Sequence, residues 1–369
     1  MPVKYIALLT ALLMTPLVVL HAADHPMRIE LGPPETVLAD KALGLRYFPD
    51  GAMAVVRTKP GCRVITAAGV SSVLLEGPEM GRFTKATEVL KKGKPGEFDN
   101  GYAGINAVVR TRTGQLLGFY HAEDQEGMAS VGSGIPGFYC RVALALSLGD
   151  GTSFEKRGPI LSGQLQKDPN GRPDQGVGEP SVFVEPKGEF LYAYYTSHEP
   201  VDGRGVQICM ARCPTADAAN PVAWKKFHAG GFAEAGLGGK DTPVVTSGRQ
   251  DADALFPHVV FVRGLQRFVM IFCLNAWREG DKPDRSGIYA AFSDDGIHWP
   301  RERMQQIWKV PVIATIGREV AWHPTFIPDE DNDTRGWLYY GYSENWGDPL
   351  PHKPHYLVRR PIAITGSDP

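Results

Sequence analysis

Apolar positions along this chain gather in short runs rich in Val, Ile, Tyr, Phe and Thr, each cut off by Gly, Pro, Asp or Asn. Helical spacing, with apolar residues at i, i+3 and i+4, is nearly absent. The pattern therefore predicts strand after strand joined by turns. One run stands apart. Tyr5 to Leu20 is apolar except for Thr and Pro, follows Lys4, and is succeeded by His21-Ala22-Ala23. A positive start, an apolar stretch and small residues before Asp24 read as a signal peptide over residues 1–23, which makes the protein secreted or periplasmic. A membrane anchor is the competing reading, but 16 residues is short for a span, which needs about 20. No second run of spanning length follows.

The strands repeat. Met53–Gly61 reads MAVVRTKPG and Asn106–Gly114 reads NAVVRTRTG, near copies offset by 53 residues. Each runs into a second apolar segment. The same two-strand opening recurs at Pro180-Ser181-Val182-Phe183, at Pro257-His258-Val259-Val260 and at Pro324-Thr325-Phe326-Ile327, making five units. A second marker closes them: Asp150-Gly151 and Asp295-Gly296 are tight-turn pairs, each followed by an aromatic that starts the next strand. Phe83, Phe154, Trp224 and Trp299 mark that place at spacings of 71, 70 and 75 residues. Four strands per unit at this period predict an all-β fold, a five-bladed β-propeller with four antiparallel strands per blade, as one domain over residues 24–369. Six blades is the rival count.

In such a blade the connection into the innermost strand and the loop between strands two and three share one face. The Asp-Gly turns fall on the other, as scaffold. The shared face, where inner strands converge on a funnel, carries the candidate chemistry. Candidates for catalysis are Asp50, Glu179, His258, Glu319 and His323. Glu179 is the sharpest, a carboxylate between Gly178 and Pro180 directly before an apolar inner strand. Glu123 and His198 come from two-to-three loops, and Arg141, Arg204 and Arg285 precede third strands, where guanidinium groups could bind a carboxylate or sulfate. Trp277, Trp322 and Trp346 would offer apolar platforms to sugar faces. For each acid the plainer reading is a solvated loop residue. For the histidines it is a satisfied, half-buried ring.

Composition changes this picture little. Of 369 residues 43% are hydrophobic, and 39 basic against 41 acidic residues leave a net charge of -2, a balance that argues against a nucleic-acid-binding protein, which usually carries a clearly basic face. Five cysteines form no framework. Cys209 and Cys213, four apart on a strand, stand roughly 13 Å from each other, too far to bridge. A calcium or sodium ion in the funnel would suit the carboxylates, though no ligand spacing demonstrates a metal.

Ser293–Trp299 (SDDGIHW), Gly178-Glu179-Pro180-Ser181 and the Asp150–Pro159 run (DG-x-x-F-x-x-x-GP) resemble the five-bladed β-propeller glycoside hydrolases, over residues 45 to 360. That superfamily includes arabinanases and xylosidases, invertase-like fructosidases, anhydro-galactosidases and mannoside phosphorylases. The resemblance implies a base or nucleophile from the first blade, at Asp50, and an inner-strand acid at Glu179. A histidine acid, as in the anhydro-galactosidase branch, keeps His258 and His323 in view. Asp50 is followed by Gly51, where the superfamily has Asp-Pro. The expected function is an exported glycoside hydrolase acting on a polysaccharide-derived oligosaccharide, through one protonated and one ionised group flanking the bond. A non-catalytic carbohydrate-binding propeller is the alternative. A sialidase-like activity ranks lower, because no FRIP-like arginine motif is present, and a phosphorylase would rarely meet phosphate outside the cell.

Overall fold

A computed structural model of the chain describes residues 27–57, 61–130, 136–199, 205–247, 252–275, 285–311, 319–344 and 354–366. The expected signal peptide, Arg204, Trp277 and Trp346 lie outside these residues. Among the described residues the only helical turns are 3-10 turns of three residues. After β1 (Arg28–Leu31) and β2 (Glu35–Leu38), the strands fall into successive antiparallel units. The first holds β3 (Ala54–Arg57), β4 (Cys62–Ala68), β5 (Ser71–Gly77) and β6 (Lys85–Leu90). The second holds β7 (Tyr102–Arg110), β8 (Leu116–Asp124), β9 (Phe138–Ser147) and β10 (Phe154–Leu161). In the third, β11 (Asp174–Val184), β12 (Phe190–Ser197), β13 (Gln207–Pro214) and β14 (Lys225–His228) are extended by β15 (Gly231–Ala235). The fourth comprises β16 (Asp253–Val262), β17 (Arg267–Asn275), β18 (Gly287–Ser293) and β19 (Met304–Lys309).

The fifth unit is built from both ends of the chain. β20 (Val320–Pro328), β21 (Arg335–Ser343) and β22 (Tyr356–Thr365) pair in order, and β1 and β2 then pair with the far edge of β22. Covering that edge with the N-terminal strands removes an open row of N–H and C=O groups. An ion pair at 3.0 Å between Arg359 and Glu35 ties the two ends across it.

Apolar packing lies between units. Separate clusters join the first unit to the second, the second to the third, the third to the fourth, the fourth to the fifth and the fifth back to the first. The ring of seams is closed, which makes the architecture a β-propeller. The four aromatics picked out by their spacing all belong to these seams and are buried. Trp224, fully buried, meets Phe119 of the second unit edge-on at 5.6 Å. Trp299 gives its indole N–H to the Gly296 carbonyl at 3.1 Å, and the Tyr194 hydroxyl of the third unit donates to the same oxygen at 2.6 Å. The Asp-Gly turns are gripped from within: Asp295 accepts the N–H groups of Ile297 and His298, each at 2.8 Å, and Asp150 is paired with Arg110.

Candidate functional site

The inner strands break their own alternation at one equivalent place. Pairing between the first and second strands slips between Ile105 and Ala107, between Gly178 and Ser181, between Leu255 and His258 and between Trp322 and Thr325. The bulged residues are Asn106, Glu179, Phe256 and His323. Three of them precede proline and sit at left-handed φ: Glu179 at 49°, Phe256 at 56° and His323 at 50°. A non-glycine residue there costs on the order of 1–3 kcal/mol and persists only where its surroundings dictate it. Its recurrence in three units marks a built feature, and a bulge of this kind re-aims a side chain out of the strand's two-residue period.

The residue after each proline faces the seam instead. Ser181 Oγ accepts the Val259 N–H at 2.9 Å, His258 Nδ1 the Phe326 N–H at 3.3 Å, and Thr325 Oγ1 the Met53 N–H at 3.0 Å. In the other two seams Ser72 Oγ accepts from Ile105 at 2.8 Å and His121 Nδ1 from Glu179 at 3.3 Å. His258 thus does the work of Ser181 and Thr325. Burial pushes its ring down to about 4, so it is neutral near pH 7.

Two carboxylate–histidine groups stand on the bulges. In the first, Glu179 Oε2 lies 3.7 Å from His198 Nε2, and His198 Nδ1 lies 3.4 Å from Asp174 Oδ2. His121 sits beneath, with Nε2 3.0 Å from Glu123 Oε1, and the Phe138 ring meets both histidines edge-on. Glu179 and His198 are each about 9% exposed. Burial alone would raise the Glu179 carboxyl, but the charge of His198, helped by the Thr196 hydroxyl, holds it down at about 2. Burial likewise works against a charge on His198, yet its partners raise it well above the ordinary range. Cys140 Sγ faces that ring, but burial pushes its thiol up to about 11, so near pH 7 the opposing charge comes from Asp174 and Glu179. At 3.7 Å the carboxylate and imidazolium form an ion pair, too long for a hydrogen bond. Glu179 Oε2 and His198 Nε2 are both left without a hydrogen-bond partner.

The second group is Asp50 and His323, with Asp50 Oδ1 3.8 Å from His323 Nε2. Its carboxylate is the more open, at 41% side-chain exposure. The Phe256 ring packs on His323 at 4.1 Å. Tyr102 links the two groups. Its hydroxyl donates to the Asp50 carbonyl, its ring meets His121 edge-on at 5.4 Å, and burial with the charges of Asp50, Glu123 and Glu179 keeps its phenol protonated.

The remaining expected residues make none of these contacts. Glu319 is exposed before β20 and accepts the Tyr342 hydroxyl at 3.1 Å. Trp322 is 6% exposed, donates its indole N–H to the Pro49 carbonyl at 2.9 Å and meets His355 edge-on; this side chain is seam packing and presents no open face. Arg141 stacks over Tyr139 at 4.6 Å, and Arg285 is exposed. Asp174 was not among the residues that the sequence placed on this face. Among the described residues no cluster of three or more His, Cys, Asp or Glu is arranged to hold a metal ion.

Solved structures share this fold. A glycoside hydrolase superposes with a TM-score of 0.59 at 14% identity, over 92% of this chain and 93% of that one. An α-L-arabinofuranosidase from Lactobacillus brevis gives 0.54 at 13% identity, over 84% and 90%. An N-acetylgalactosamine deacetylase from F. plautii gives 0.52 at 12% identity, over 88% and 95%. No protein-family model matches the chain, and no curated protein matches it either. At these identities the likeness is one of fold. The β-propeller of the resemblance drawn from sequence is present, and the activity has to be argued from the site.

Proposed function

We propose that the protein is an exported glycoside hydrolase acting on a polysaccharide-derived oligosaccharide, with its chemistry in the funnel between the two carboxylate–histidine groups. The observation that carries this reading is the buried Glu179–His198 pair: an ionised carboxylate against a protonated ring, both facing atoms without a hydrogen bond. Glycoside hydrolysis needs one proton donor and one ionised acceptor on either side of the bond, at least about 5 Å apart. Glu179 and His198 are too close to flank a bond by themselves. They therefore act together as the donor side, with the proton resident on His198 Nε2. Asp50, more open to solvent and steadied by His323, is the acceptor that activates water. Glycoside hydrolases share the fold, but so does a deacetylase, so the site geometry bears the weight.

The test is release of reducing sugar from a broad glycan panel by the mature protein, with Glu179→Gln, His198→Gln and Asp50→Asn in parallel. Loss of roughly 10²–10⁴-fold in kcat is expected for each. Full activity in Glu179→Gln would remove that residue from the mechanism. Saturable binding without turnover across the panel would make the funnel a carbohydrate-binding site. N-terminal sequencing of protein recovered outside the cytoplasm tests export, with cleavage expected after Ala23.

A further inference from the structure

We propose that Asp174 is a positioning residue of this site: it holds the His198 ring by Nδ1 so that Nε2 is presented to Glu179 and to the ligand. The proposal rests on reading the funnel as catalytic and adds a residue to it. His198 is fixed from four directions. Its backbone N–H donates to the Gly176 carbonyl at 2.9 Å, Nδ1 faces Asp174 Oδ2 at 3.4 Å, Nε2 faces Glu179 Oε2 at 3.7 Å, and Phe138 closes the side edge-on at 5.5 Å. Asp174 and Glu179 are five residues apart on β11, a spacing that puts side chains on opposite faces of a regular strand. Gly176, at φ 83°, and the bulge at Glu179 turn both carboxylates to one ring. Gly176 has no substitute here, since a Cβ would lie 2.2 Å from the Cys140 carbonyl oxygen.

A carboxylate on Nδ1 fixes the proton at that nitrogen, so Nε2 is left as the atom that gives or takes a proton. At 3.7 Å there is no room for an oxygen on the line between Nε2 and Glu179 Oε2, so a sugar hydroxyl or a water that accepts from the one and donates to the other stands to one side of it. Other groups facing His198 are Cys140 on β9 and His121 on β8, while Arg172 Nη2 competes for Asp174 Oδ2 at 3.4 Å.

The experiment follows the His198 ring by long-range ¹H–¹⁵N spectra of the full chain labelled in histidine, across pH. Asp174→Asn keeps an acceptor at Nδ1 but removes the charge, and the His198 midpoint should fall by about one pH unit or more. Arg172→Gln removes the competing cation, and the midpoint should rise; Asp174→Glu should restore it. On any glycan that is turned over, Asp174→Asn should lower kcat about tenfold or more, leave KM within about twofold, and move the alkaline limb of kcat with the midpoint. An unmoved midpoint in both folded variants overturns the proposal, and Arg172→Gln decides alone if Asp174→Asn does not fold. Shifted midpoints in a protein that turns over no glycan would uphold the positioning role and overturn the hydrolase.

Discussion

Replacing His198 by Gln should cost stability in a way that depends on pH, and the size follows from Glu179. A carboxyl held at about 2 in place of 4.5 has its ionised form favoured by about 3 kcal/mol. Because the folded value is depressed, that contribution is fully present above the unfolded value and is lost as pH falls through the folded one. It should shrink to about 1 kcal/mol at pH 3. His198 behaves in the opposite sense. Its folded value is raised, so its contribution is full below 6.5 and is lost as pH rises through the folded value. Both are present together between about pH 4.5 and 6.5. In His198→Gln the cation is gone, burial dominates, and Glu179 becomes harder to ionise than in the unfolded chain. The deficit of the variant should therefore peak near pH 5.5 at about 3 kcal/mol or more, a large share of an ordinary domain's stability. Urea unfolding at pH 3, 5.5 and 9 with matched m-values measures it. Loss of the edge-on Phe138 contact enters equally at all three values and drops out of the comparison. An equal deficit at every pH would refute the ion-pair reasoning.

Other outcomes are as specific. His258→Ala leaves the Phe326 N–H unpaired in the seam and should cost about 1–3 kcal/mol while kcat per folded molecule stays within about twofold; a hundredfold fall in kcat would place His258 in the chemistry. Trp224→Ala empties a fully buried site between the second and third units and should cost about 3–5 kcal/mol by chemical denaturation; a cost under 1 kcal/mol would mean that the seam collapses around it. Deleting residues 27–38 removes β1 and β2 and bares the edge of β22, so light scattering should report concentration-dependent association. A monomer with an unchanged melting temperature would show that the closure contributes nothing.

The strands, their grouping and the turn faces were legible along the chain because they are written in local patterns. Runs of β-formers, Asp-Gly pairs and one aromatic per unit need only near neighbours to act. Asp150, Asp295 and the four spaced aromatics serve the scaffold roles that those patterns predict. Glu179 was visible for the same reason, as the one carboxylate wedged between glycine and proline before an inner strand. Its meaning was not visible. Equivalent placement of Glu179, Phe256 and His323 follows from a bulge, which reverses alternation and so separates His323 from His258, two residues that look alike in sequence. Asp174 was hidden for that reason as well, at an odd spacing that a regular strand would have turned away. Asp50 and His323 lie far apart along the chain and meet because the first unit packs against the fifth across the closing seam. Local spacing determines which segments become strands; which side chains converge on the funnel is decided by ring closure and by breaks in the strands, and neither has a local signal.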